Sequence, residues 1–189
     1  INVVFTLKNP GYRPLEDLTL IAQFASAAPL LIVDPGLKVR NMSELLTAAK
    51  AKPGTISYGS WGPGSFPHLL MASIEQLSGT TILHVPYRGA QPALQDLVAK
   101  QVQIGFVPAH VAETYRDKGW GVPVAVAGPR RVDRFPEVAT LAEQGYDSPM
   151  TRSTLWMGLI GPRGIDSALV KRLAADVHAA VKTEAFVQS

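Results

Sequence analysis

Ile56-Ser57-Tyr58-Gly59-Ser60-Trp61-Gly62-Pro63-Gly64-Ser65-Phe66-Pro67-His68 carries a short strand, Ile56 to Tyr58, into a helix, with three glycines and two serines between them. Glycine lets a backbone turn sharply and approach a ligand closely. The helical pattern starting near Phe66 offers unpaired N–H groups and the positive end of a dipole. Such a junction can hold an anion. It also fits a flexible connection capped by Ser65 and nothing more, because Gly and Ser are common in loops. Two named alternatives fail. A phosphate-binding loop needs Lys after its last glycine, where Ser65 stands. A hydrolase elbow G-x-S-x-G needs glycine two residues before its serine, where Tyr58 precedes Ser60 and Pro63 precedes Ser65. What remains is a neutral cradle of hydroxyls and amides, suited to holding a carboxylate without transforming it.

Outward from this stretch, short strands alternate with helices, which predicts an α/β fold with largely parallel strands. Strands are expected over 18–24, 30–33, 55–58, 82–85, 102–107, 122–127 and 155–160. Ser43 is the expected N-cap of a helix reaching about Ala51. Phe66, Leu69, Leu70, Ser73, Ile74 and Leu77 recur at helical spacing until Gly79. Further helices are expected along Leu94, Leu97 and Val98, from Ala109 to Asp117, briefly from Thr140 to Gln144, and after the Asp166 cap. Three loops follow a strand and precede a helix: 59–65, 86–91 and 107–110. In an open parallel sheet such loops gather at the carboxyl edge, where ligands bind.

The 189 residues are enough for one or two domains and a sizeable core. Hydrophobic residues make up 47% and charged residues 17%. Eighteen basic against fifteen acidic side chains give +3, a slight bias toward anionic small molecules. The basic residues are dispersed, with Arg130-Arg131 and Lys171-Arg172 the adjacent pairs, so no nucleic-acid partner is expected. Cysteine is absent, which removes disulfides, thiolate catalysis and cysteine-bound metals. His68, His84, His110 and His178 lack the spacing of metal motifs. No nucleophile–base pair stands at a recognisable spacing. No window approaches the roughly 18 apolar residues of a membrane span. Ile1-Asn2-Val3-Val4-Phe5 shows neither an initiator Met nor a basic start, so further chain is expected before it.

Several segments carry a resemblance. They are Glu44-Leu45-Leu46 through Ala49-Lys50-Ala51-Lys52-Pro53-Gly54 to Tyr58-Gly59-Ser60, then Gly64-Ser65 with His68-Leu69. His84-Val85-Pro86-Tyr87-Arg88-Gly89 with Ala93-Leu94 follows, and then Pro136 to Gly145 and Trp156 to Pro162. From about Tyr12 onward the chain resembles the Bug-type (TctC-like) periplasmic solute-binding receptors of tripartite tricarboxylate transporters. The resemblance implies a two-lobed periplasmic-binding-protein clamshell of type II-like form. Residues 1–31 and 156–189 would be a partial, discontinuous first lobe lacking the family's opening strand and glycine-rich ligand loop. Residues 32–155 would be a nearly complete second lobe. The first lobe is then expected to leave apolar surface or a strand edge exposed.

The expected ligand site comprises Ser60, Trp61, Gly64, Ser65, His68, Tyr87, Arg88, Gly89, Ala90, Gln91, Val107 and Pro108. Tyr87 would turn its hydroxyl into the cleft or pack on its neighbours. Arg88 would pair a carboxylate or stay solvated, with the backbone amides of Gly89 to Gln91 ranking above its side chain. His68 would orient the Ser65 loop or sit inert in the core. The chain departs from the family where Val107-Pro108 replaces a common Asp-Asn and where Trp61 replaces a small polar residue. The implied function is capture of a small carboxylate without an amine (a dicarboxylate or an aromatic or aliphatic acid) by binding and lobe closure, with no chemistry and no cofactor. The implied partners are transient membrane transporter subunits, without direct membrane insertion, in the periplasm. An α/β enzyme acting on a carboxylate and the effector-sensing domain of a regulator are the alternatives.

Overall fold

The computed structural model describes residue 9 and residues 11–187. The opening segment Ile1 to Phe5, in the expected first lobe, lies outside the described residues. In chain order the elements are β1 (Leu18–Ala27), β2 (Leu30–Val33), α1 (Met42–Ala51), β3 (Ser57–Ser60), α2 (Phe66–Ser78), β4 (Leu83–Pro86), α3 (Ala90–Val98), β5 (Ile104–Val107), α4 (Ala109–Asp117), β6 (Val122–Val126), β7 (Leu155–Pro162), α5 (Ser167–Ala180) and α6 (Glu184–Val187). The chain divides into two compact units, Ala28–Thr154 and the flanking segments Ile1–Ala27 with Leu155–Ser189.

The larger unit is built on a five-stranded sheet in the order β4-β3-β5-β2-β6. Its interior strand β2 reads Leu30-Leu31-Ile32-Val33, and all four residues are fully buried. A continuous apolar run is what a strand covered on both faces requires. The expectation of largely parallel strands holds in this sheet except at β2. β3 runs parallel to β4 and β5, but β2 runs antiparallel to both β5 and β6. The chain enters this unit through Ala28 and Pro29 at the end where β5 finishes, since Leu30 pairs with Val107. The point of entry fixes the direction of β2, and residue composition carries no trace of it. The consequence matters for function: β3, β4 and β5 all finish at one edge of the sheet.

Local chemistry moves two expected boundaries. α1 is capped by Asn41 and not by Ser43: Asn41 Oδ1 accepts the Glu44 N–H at 2.9 Å, and Glu44 accepts from the Arg40 N–H and Asn41 Nδ2. This reciprocal arrangement satisfies several of the donors that a helix start orphans. Residues 140–144 form turns, where a short helix was expected. Thr140 bridges to Val126, and the Gln144 side chain donates to the Val124 and Ala139 carbonyls while accepting the Met42 N–H. Five residues are too few to offset helix nucleation against those bonds.

In the flanking unit β1 pairs antiparallel with β7, and α5 packs on β1. Asp166 caps α5 by accepting from the Ala168 and Leu169 N–H groups. No α5 side chain is fully buried, and Leu20, Met157 and Leu169 are exposed. Among the described residues no helix is long and apolar enough to cross a membrane.

Candidate ligand site at the sheet edge

Ser60 ends β3 with no solvent exposure. Its Oγ and His84 Nε2 are hydrogen-bonded at 2.7 Å. The same Oγ accepts the Gly62 N–H at 3.2 Å and lies 3.3 Å from the Gly62 carbonyl, to which it can donate. Gly62 turns the chain at φ 116°, a region that disfavours any side chain. Ser65 occupies the N-cap position of α2, but its hydroxyl donates to the Gly62 carbonyl at 2.6 Å and makes no bond to the helix. The buried Gly64 donates its N–H to His68 Nδ1 at 2.9 Å. His68 is therefore protonated on Nε2 when neutral, and one turn into α2 it anchors the loop that precedes it. Trp61 is half-buried in that loop.

Behind the loop three rings stack. His68 lies on His84 with centroids 4.3 Å apart and planes 6° apart. His84 lies on Tyr58 at 4.9 Å and 18°. Burial, and secondarily the neighbouring His68, hold the His84 pKa below the ordinary imidazole value. Burial pushes the Tyr58 phenol far above its ordinary range, with Glu75 adding to the shift. His84 was not among the expected site residues. The signal was in the alternation: in the parallel β3–β4 register Tyr58 pairs with His84, and Ser60 lies on the Tyr58 face.

The second loop meets the first. Tyr87 N–H donates to the Ser60 carbonyl at 3.0 Å. A Cβ on Gly62 would lie 3.4 Å from the Tyr87 carbonyl. The Tyr87 hydroxyl does not turn into a cleft; it donates to Asp96 Oδ2 at 2.6 Å. Burial first, then this bond, push its pKa up to about 12. Arg88 is exposed and forms no ion pair among the described residues. Gly89 adopts φ 121° at the N-cap of α3, so Ala90 and Gln91 supply the first helical amides at the same sheet edge. The third loop is short. Val107 is 1% exposed and packs into the core near Leu30 and Phe135, so its side chain is no pocket wall. Pro108 caps α4 in extended backbone.

Ser60 and Ser65 are thus joined by hydrogen bonds through Gly62, Gly64 with His68 joins them through the stack of His68 on His84, and Tyr87 joins them through its backbone. Arg88, Gly89, Ala90, Gln91 and Pro108 share only the sheet edge. There α2, α3 and α4 all begin, on strands that lie about 4.8 Å apart. A cavity of about 470 Å³ lies elsewhere, lined by residues that follow β2 and by β6 with its flanking segments, including Arg40, Asn41, Arg116 and Gln144. Three of its polar groups serve the fold: Asn41 caps α1, Gln144 binds three backbone groups, and Arg116 pairs with Asp117 and covers Phe135. Among the described residues no group of three or more His, Asp or Glu is placed to hold a metal ion.

Comparison with known proteins places this geometry. The family described as tripartite tricarboxylate transporter family receptor matches residues 2–189. Protein BugT of Bordetella pertussis is 30% identical over 180 residues, covering 94% of this chain and 54% of BugT. MatC of Rhodopseudomonas palustris, solved with bound malate, superposes with a TM-score of 0.83 at 26% identity, over 96% of this chain and 60% of MatC. An R. palustris protein solved with adipate superposes at 0.82 and 27% identity, over 95% of this chain and 59% of that one. The chain spans about half the length of the curated relatives it matches.

Proposed function

This chain belongs to the tripartite tricarboxylate transporter receptor family, and from that premise we propose that it captures a small acid bearing one or two carboxylates and no amine. One observation carries the reading. Three helices begin at a single sheet edge, and the loops 59–65, 86–91 and 107–110 that lead into them contain no Asp or Glu. Helix starts supply N–H donors and a positive dipole end, which suit carboxylate oxygens. An ammonium placed there would lack a counter-charge from these loops, and an unpaired buried charge costs several kcal/mol. The malate and adipate held by the two R. palustris proteins fit that chemistry. We place the protein in the periplasm, delivering its ligand to membrane subunits of the transporter.

Capture without reaction also agrees with the Ser60–His84 contact. A nucleophile and base do meet there, but Ser60 is fully buried, the His84 ring lies between Tyr58 and His68, and no carboxylate is hydrogen-bonded to it among the described residues. Catalytic serines need an open face and an oriented base.

The test is thermal denaturation of the full-length protein with malate, adipate, an aromatic carboxylate and a panel of amino acids. Dicarboxylates should stabilise it by about 2.7 kcal/mol at a hundredfold excess over Kd. Stabilisation by amino acids alone would overturn the reading.

A further inference from the structure

The stacked imidazoles beneath the first loop have no part in the capture just described, yet every element of that loop leans on them. His68 accepts the Gly64 N–H through Nδ1, and His84 bonds the Ser60 hydroxyl, which in turn accepts the Gly62 N–H. The loop therefore hangs from two titratable nitrogens. We propose that His68 and His84 are the positioning residues of this site: as a neutral stacked pair they hold the Trp61–Ser65 loop in its ligand-binding shape, and protonation releases it, so the carboxylate is bound near neutral pH and discharged in acid. The inference rests on the carboxylate reading above and adds its regulation.

The chemistry is local. A proton on His68 Nδ1 would set a donor against the Gly64 N–H and abolish that bond. A second imidazolium would face the first across 4.3 Å. The charged and titratable neighbours do not compensate. From β3 the facing group is Tyr58, whose phenol stays neutral. From α2, Glu75 bears on the Tyr58 phenol, and its carboxylate accepts the Ile82 N–H. Asp96 is engaged by the Tyr87 hydroxyl. With its pKa depressed by burial and by His68, His84 favours the neutral form in the fold. The stability this confers is full above about pH 6.5 and drains away as pH falls through the folded value.

The experiment follows the Gly64 amide resonance of glycine-labelled full-length protein from about pH 7.5 to 5, beside malate affinity over the same range. The Gly64 resonance should move as the pair takes up a proton, and affinity should fall roughly tenfold per pH unit beneath that transition. His68→Leu should weaken malate binding across the range. His68→Gln, whose amide oxygen can accept the Gly64 N–H without titrating, should restore binding and flatten its pH profile. A Gly64 resonance that does not titrate, an affinity that rises in acid, or a His68→Gln profile identical to wild type would each overturn the proposal. Failure of malate and adipate to bind at neutral pH would instead refute the carboxylate reading, while the Gly64 titration, measured without ligand, still decides this one.

Discussion

Tyr87 shows a polar group committed before any ligand arrives. Its hydroxyl donates to Asp96 on α3, nine residues along the chain, at 2.6 Å. A hydrogen bond to a charged group contributes about 1.5–3 kcal/mol, so Tyr87→Phe should lower stability by about that amount in urea unfolding. The sign with pH is equally definite. A phenol pKa raised in the fold means the contribution is present below about pH 10 and lost as pH climbs toward the folded value of about 12. The wild-type protein should therefore lose stability across that alkaline window faster than Tyr87→Phe does. A variant as stable as wild type would show the bond to be worth nothing. The sequence alone left the hydroxyl undecided, because Asp96 faces it only through the rotation of α3. His84 was more legible, since alternation along His84-Val85-Pro86 puts it on the Tyr58 face once β3 and β4 pair. What no pattern announced was the ring stack, which depends on how closely α2 lies over β3.

Between elements, α3 approaches the sheet closely, and two glycines permit it. A Cβ on Gly59 would lie 3.1 Å from Ala93 Cβ, and one on Gly105 would lie 2.9 Å from Leu97 Cδ2. Leu97 is 1% exposed, so its Cδ2 can give way only by shifting within a packed core. Gly105→Ala should therefore cost about 1–3 kcal/mol through overpacking, measured as a shift in the denaturant midpoint with an unchanged slope. A variant within experimental error of wild type would mean that the core yields more readily than its packing suggests. Helices with long apolar periodicity were legible from the residues, α2 and α5 among them. The cap of α1 was legible too, through Glu44 three residues after Asn41, a stronger signal than a serine at position 43 with leucine at position 46. The direction of β2 was not, because a run of four apolar residues fits either pairing. Nor was the turn at 140–144, where side-chain bonds from Thr140 and Gln144 replace the ladder of a helix.

The molecule is uneven in how much it buries. Apart from Pro14, the buried apolar side chains among the described residues lie between Pro29 and Leu141, within the larger unit. The flanking unit rests on a two-stranded sheet, the helix α5 without a fully buried residue and the short α6. Leu20 is 68% exposed, Met157 60% and Trp156 45%. Two strands and a helix bury too little apolar surface to offset their conformational entropy comfortably. Exposed apolar side chains on strands β1 and β7 also offer a surface on which another chain can dock. The 189-residue chain by itself should therefore associate in solution, giving a light-scattering mass above the 20.3 kDa of one copy. Hydrogen exchange should be slow within Ala28–Thr154 and much faster in β1, β7 and α5, because local opening there sacrifices few buried contacts. Replacing Leu20 and Met157 with Thr should reduce the association while leaving exchange in the larger unit unaltered. A monomer with one cooperative transition and uniform protection would show instead that both units fold as a single body at this length.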